Sequence, residues 1–81
     1  MSEVEYLETI VKPLLENPEA LEIVTKKDDR GILILLFVDK EDLGRTIGKQ
    51  GETANSLRCL LRILGTKNNA RYNLKVDSRK P

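Results

Sequence analysis

Seven consecutive residues, Ile32 to Val38, carry no polar side chain, and this run constrains the chain more than any other feature. It is too short to cross a bilayer as a helix and too short for a buried globular helix. That leaves a β-strand, and the absence of alternation implies one covered on both faces. The chain around it has 81 residues, room for one domain at most. A domain of this size buries only about 60–65% of the surface its unfolded chain exposes, so the core is small and regular, with no space for an elaborate active site. With 40% hydrophobic and 33% charged residues, the chain is too apolar for a disordered tail and too charged for a membrane protein.

The segments flanking this strand read as a simple alternation. Val4, Leu7, Ile10, Val11, Leu14 and Leu15 recur at helical spacing, with Ser2 as the expected N-cap and Glu3 and Glu5 in the first turn. Pro13 has no N–H to bond residue 9, which predicts a break near Lys12, and Asn17-Pro18 ends the segment. Ala20 to Lys27 alternates as an edge strand, and Asp28 to Gly31 turns into the apolar run. Asp39 is the next N-cap, with Asp42 in a capping-box-like position, opening a short helix to Thr46 or Ile47. A longer helix follows from Glu52 to Leu64, with Ala54, Leu57, Leu61 and Leu64 on one face and Gly65 as its stop. Thr66 to Asn69 reads as a loop. Ala70, Tyr72, Leu74 and Val76 then alternate with Arg71, Asn73, Lys75 and Asp77 as a half-buried strand, and Ser78 to Pro81 should fray. The order α-β-β-α-α-β implies a two-layer α+β domain, a three-stranded sheet with helices on one face.

Composition narrows the chemistry. There is no histidine, and Cys59 is the only cysteine, so the usual general base, zinc set and Cys/His nucleophile pair are all missing. Neither a metal nor a cofactor is implied. The lone thiol and the acidic N-terminal residues, where a signal or transit peptide would be basic and then apolar, point to the cytoplasm. The net charge of +1 hides a division: residues 1–39 hold four basic and nine acidic residues, and residues 40–81 hold ten basic and four acidic. That asymmetry suggests an anion-binding face, although folding can also intermix such charges. Gly48-Lys49-Gln50-Gly51, two glycines bracketing two polar residues between helices, supplies a mechanism for one. The main chain can approach a sugar-phosphate strand closely, and the N–H groups of the following helix point at the anion. On its own the spacing also fits a plain turn. It is no nucleotide-binding P-loop: only three residues separate Gly44 from Gly48, and Lys49 is followed by Gln50, not Ser or Thr.

In its place between two helices, Ile47-Gly48-Lys49-Gln50-Gly51 resembles the GXXG signature of a KH domain, which clamps about four nucleotides of a single strand. The whole chain, 1–81, resembles a type II KH domain, with the first two strands as a hairpin and the last strand parallel to the middle one. Asp42-Leu43-Gly44-Arg45-Thr46-Ile47 and Ile10-Val11-Lys12-Pro13-Leu14 are similar to segments of the small bacterial KH-domain RNA-binding proteins (KhpA type, also called the YlqC family). The resemblance implies single-stranded RNA binding without catalysis, in a broad-specificity RNA chaperone or post-transcriptional regulator. It implies a phosphate clamp at Gly48, Lys49, Gln50 and Gly51, and a groove floor of Leu43, Ile47, Ala54 and Leu57. Arg45, Glu52, Asn55, Arg58 and Lys67 would be auxiliary contacts, with Thr66 to Asn69 and the strand edge as the opposite wall. Glu52 and Asn55 depart from the family, where these positions are typically basic. Leu43, Ala54 and Leu57 also fit plain helix core. The alternative function is a protein-interaction module, self-associating or pairing with a Jag-type (KhpB) KH protein. Its candidate surface is the helix face of Arg58, Cys59 and Arg62, residues that also fit a solvated face.

Overall fold

The structure, a computed structural model, describes residues 3–78; the expected cap at Ser2 and the tail beyond Ser78 lie outside these residues. Its first helix, α1 (Glu3–Val11), buries Leu7 and Val11. Lys12–Leu14 then form a single 3-10 turn around Pro13, so the helix breaks where the missing N–H demands it. Past the break helical spacing no longer applies. Leu15 is buried while Leu14 is 49% exposed.

Strand β1 (Glu22–Asp28) pairs antiparallel with β2 (Gly31–Val38), and β3 (Tyr72–Ser78) pairs with the other edge of β2 in parallel, giving the order β1-β2-β3. Ser78 belongs to this pairing, opposite Val38, and is not part of a frayed end. On one face of β2, Ile34, Leu36 and Val38 are fully buried with Leu7, Val11, Leu15, Leu57, Leu61 and Leu74. On the other face Leu33, Leu35 and Phe37 are only half-buried, which corrects the expectation of cover on both sides. The helices form a single layer over the first face. In register beside Leu33, Leu35 and Phe37 stand Lys26 and Asn73, Val24 and Lys75, and Glu22 and Asp77. Long charged side chains of this kind can lay their apolar stems along such a surface.

The second half of the chain supplies the crossover from β2 to β3. Asp39 accepts a hydrogen bond from the Glu41 N–H at 2.9 Å and caps a 3-10 turn, Lys40–Asp42, that leads into α2 (Leu43–Ile47). Asp42 does more than the capping-box position implies. Its carboxylate is fully buried and accepts the backbone N–H groups of Glu16 and Asn17, each at 2.9 Å, joining the start of the crossover to the loop after α1. After a further turn at Lys49–Gly51, α3 (Glu52–Asn68) runs past the expected stop at Gly65. Gly65 is a buried helical residue whose Cβ would lie 2.5 Å from the Ala70 carbonyl oxygen. The glycine is there because the returning chain passes against it, with the Ala70 N–H donating to the Gly65 oxygen at 2.8 Å. Thr66 to Asn68 are therefore the last turn of α3 and not a loop, and Asn69 closes the helix in the left-handed conformation.

Burial works to raise the Asp42 pKa, but the N–H donors of Glu16 and Asn17, the Asn17 side chain and the Arg45 guanidinium hold it below the ordinary value of 3.8. The folded state therefore favours the carboxylate. Its stabilising contribution is complete above 3.8 and is lost as pH falls through the lower folded value. Asp42→Asn should lower the urea midpoint at neutral pH, since a carboxamide offers one acceptor oxygen where two N–H groups must be met. It should also flatten the loss of stability that the unaltered chain shows below about pH 4, the onset expected for an aspartate.

Candidate nucleic-acid interface

The reversal between α2 and α3 is built from backbone. Gly48 ends α2 with φ +80°, its N–H donating to the Gly44 carbonyl at 2.7 Å. A Cβ at Gly48 would lie 2.4 Å from Thr53 Oγ1 and 2.7 Å from Thr53 N, so the first turn of α3 sits directly on this residue. Gln50 and Gly51 follow with φ of 56° and 75°, both left-handed. The chain thus turns sharply, and the side chains of Lys49 and Gln50 are exposed and make no hydrogen bond or ion pair among the described residues. No side chain caps the N-terminus of α3, although the helix is 17 residues long. An uncapped N-terminus of this length presents N–H groups and the positive end of a helix dipole beside the loop.

A shallow concavity lies next to this turn, lined by Lys49, Gln50, Glu52, Asn55, Ser56 and Cys59. It brings four of the sequence-predicted contacts together. Others go elsewhere. Leu43 and Ile47 are half-buried and retain some surface, whereas Ala54 and Leu57 are each 3% exposed and belong to the core. Arg45 is held by the N-terminal segment: it pairs with Glu16 at 3.3 Å, lies 3.7 Å from Asp42 and donates to the Leu14 carbonyl at 3.4 Å. Lys67 is exposed in the last turn of α3, far along the helix from the glycine turn.

Arg58 bridges two elements. Its Nη1 donates to Asn55 Oδ1 at 3.0 Å on its own helix and its Nη2 to the Leu74 carbonyl at 3.3 Å on β3. Beyond it lies a second, larger concavity between α3 and β3, where Arg58 and Arg62 meet Arg71 and Tyr72. The last two were not singled out from sequence. The i, i+4 spacing of Arg58 and Arg62 together with the alternation of the last strand was the signal available. Cys59 lines the first concavity, while Arg58 and Arg62 line the second.

The family model for the KhpA/KhpB KH domain matches residues 4–76. This chain belongs to the KhpA/KhpB KH-domain family. It is 40% identical over 72 residues to "RNA-binding protein KhpA" of Listeria monocytogenes, covering 89% of this chain and 95% of the relative. The protein of the same name in Chlamydia pneumoniae is 36% identical over 76 residues, 94% and 97% of the two chains. That of Bacillus subtilis is 31% identical over 67 residues, 83% of each. No solved structure matches. The element order, the mixed sheet and the single helical layer are those of a KH domain of the expected α-β-β-α-α-β order, and the chain is not an enzyme. Among the described residues, no helix is long and apolar enough to cross a membrane, and no group of three or more His, Cys, Asp or Glu could hold a metal ion.

The two glycines of this KH domain's loop have different tolerances. Gly48→Ala combines a left-handed backbone, about 1–2 kcal/mol, with overlap onto Thr53, about 1–3 kcal/mol, and should destabilise the domain by about 2–5 kcal/mol. At Gly51 the nearest atom to a Cβ is Asn55 Nδ2 at 3.8 Å, so Gly51→Asn, a residue that tolerates the left-handed region, should cost less than about 1 kcal/mol. Urea denaturation of both variants measures the difference.

Proposed function

We propose that this KH domain binds single-stranded RNA, with Gly48, Lys49, Gln50 and Gly51 holding the phosphate backbone and the first turns of α3 and the edge of β3 receiving the bases. The observation that carries the reading is the pair of partner-free side chains at Lys49 and Gln50, set beside the uncapped N-terminus of a long helix. Phosphate oxygens fit such donors. Leu43 and Ile47 contribute apolar surface. Glu52 and Asn55 tune the site, and Arg58 and Lys67 add charge. Arg45 acts mainly by fixing the N-terminal segment. With no aromatic ring in the clamp-side concavity, recognition there rests on shape and on hydrogen bonds to base edges, which favours broad specificity and a role as a cytoplasmic RNA chaperone or post-transcriptional regulator.

Replacing Lys49 and Gln50 together by Asp should abolish single-stranded RNA binding with an unchanged circular dichroism spectrum, because both side chains lie outside the core. In the unaltered chain, log affinity should fall against log salt with a slope of about −1.4 to −2.8, for two to four phosphates at about 0.7 each. Unchanged RNA affinity in the variant, or a preference for duplex, contradicts the reading.

Self-association is a second reading, supported by the uncovered face of the sheet. Val24, Leu33, Leu35 and Phe37 form an apolar surface there, with Glu22 beside Phe37 at one end and Lys26 beside Leu33 at the other. A second copy stacked face to face with its strands reversed sets each Glu22 against the other's Lys26. On this reading the self-association surface is the open face of the sheet, an alternative to the helix face of Arg58, Cys59 and Arg62. Sedimentation should show a dimer that Leu35→Glu dissociates while RNA binding per chain persists. A dimer indifferent to this substitution removes the reading, and association only with a KhpB-type KH protein replaces self-pairing by hetero-pairing.

A further inference from the structure

The clamp-side concavity has a volume of about 400 Å³, within the range of small-molecule sites, and opens directly beside the glycine turn. Its wall on α3 is made by Glu52, Asn55, Ser56 and Cys59, at the i, i+3, i+4, i+7 spacing of one helix face. The polar groups on this wall are not equivalent. Ser56 Oγ donates to the Glu52 carbonyl at 2.9 Å, so its only proton is spent on the helix itself. Asn55 Oδ1 accepts from Arg58 Nη1 at 3.0 Å, and because a guanidinium can only donate, the amide orientation is determined. Its Nδ2 is the atom nearest to where a Cβ on Gly51 would stand, at 3.8 Å, and makes no hydrogen bond among the described residues. The exposed Glu52 carboxylate likewise makes no hydrogen bond or ion pair among the described residues, although Lys49 lines the same concavity.

A bare carboxylate is out of place where phosphate is to be held. It repels the backbone of a nucleic acid and every acceptor on a base edge, and it is attracted only by donors. A group that repels most partners is a means of discrimination. Asn55 and Glu52, one helical turn apart, together offer one amide donor and two carboxylate acceptors. Cytosine presents the same set on its pairing edge, and guanine is the complement of that set: O6 accepts while N1 and N2 donate. Uracil, adenine and cytosine each have one donor position on this edge and can use one carboxylate oxygen. Guanine alone has two adjacent donors and uses both, as two parallel charge-assisted bonds.

We propose that Glu52 and Asn55 read one guanine of the bound strand, Asn55 Nδ2 donating to O6 and the two Glu52 oxygens accepting from N1–H and N2–H. The inference rests on the RNA-binding reading and adds to it one position of base preference in an otherwise broad reader. Asn55 is set for this before a base arrives, because the Arg58 that holds its oxygen is itself tied to the Leu74 carbonyl on β3. Lys49, on the same concavity, takes the adjoining phosphate, so the cation offsets the repulsion between that phosphate and Glu52.

The test is fluorescence anisotropy with oligouridylates of about six nucleotides, two more than a KH clamp holds, carrying one guanosine at each position in turn. At one position guanosine should bind about fivefold or more tighter than uridine, the lower end of what a two-bond contact to a base gives. Inosine there keeps O6 and N1–H but lacks the N2 amino group, and should lose most of the gain. Glu52→Gln should bring guanosine and inosine to equal affinity, since a carboxamide offers one acceptor oxygen for two donors. Asn55→Asp keeps an oxygen for Arg58 and replaces only the donor, and should also abolish the guanosine preference. Lys49→Asp combined with Gln50→Asp should weaken every oligomer whatever its base. If Glu52→Gln tightens all oligomers by the same factor, Glu52 only repels phosphate and the guanine reading is overturned while the clamp stands. Equal affinity of the unaltered chain for guanosine and uridine at every position overturns it too. Displacement of the oligomer by guanosine monophosphate at the oligomer's own concentration overturns it in favour of a free-nucleotide site. Absence of binding to every oligomer overturns the RNA-binding reading itself, and this one with it.

Discussion

β2 and β3 run parallel, so the chain that leaves Val38 must travel back along the sheet before it pairs again at Tyr72. No hairpin can make that connection; it takes a crossover, and here the crossover is α2, the glycine turn and α3. The rest of the architecture depends on this return. It puts every helix of the crossover on one face of the sheet, gives β2 its buried row of Ile34, Leu36 and Val38, and forces a sharp reversal where α2 meets α3. The Gly48–Gly51 turn is that reversal. Its exposure follows from topology, because a connection at the rim of the helical layer faces outward.

Two local features hold the reversal in place. Asp42 anchors the start of the crossover to the loop after α1 through two backbone N–H groups, and Arg45 adds contacts to Glu16 and Leu14. Thr53 packs onto Gly48 and sets the angle between the two helices. A fixed angle sets the backbone of the turn before any ligand arrives, which lowers the entropic cost of association on the RNA-binding reading, while the exposed side chains of Lys49 and Gln50 keep their own rotamer freedom.

What could be read from sequence was whatever depends on neighbours along the chain. The helix period of α1, the break at Pro13, the Asp39 cap, the alternation of β3 and the glycine turn were all legible because each is a local rule. What could not be read depends on residues distant in the chain. Asp42 meets donors 25 and 26 positions away, so its capping-box spacing concealed its partners. Gly65 looked like a helix stop, and only the path of Ala70 shows that the helix needed a gap there. The apolar run of β2 suggested two covered faces because sequence does not report how many layers surround a strand. Arg71 and Tyr72 join Arg58 and Arg62 only through the placement of β3 beside α3, so the larger concavity was invisible until that placement was known.

The central claim is that a single strand of RNA is held at the glycine turn on the helical side of the sheet edge. Amide chemical-shift mapping by NMR during titration with a short single-stranded RNA tests it most directly. Shifts should concentrate at Gly48 to Asn55 and at the outward-facing amides of Leu74 and Val76, with Leu33, Leu35 and Phe37 unmoved. Shifts centred on Leu33, Leu35 and Phe37, with the Gly48–Gly51 amides unchanged, would contradict it.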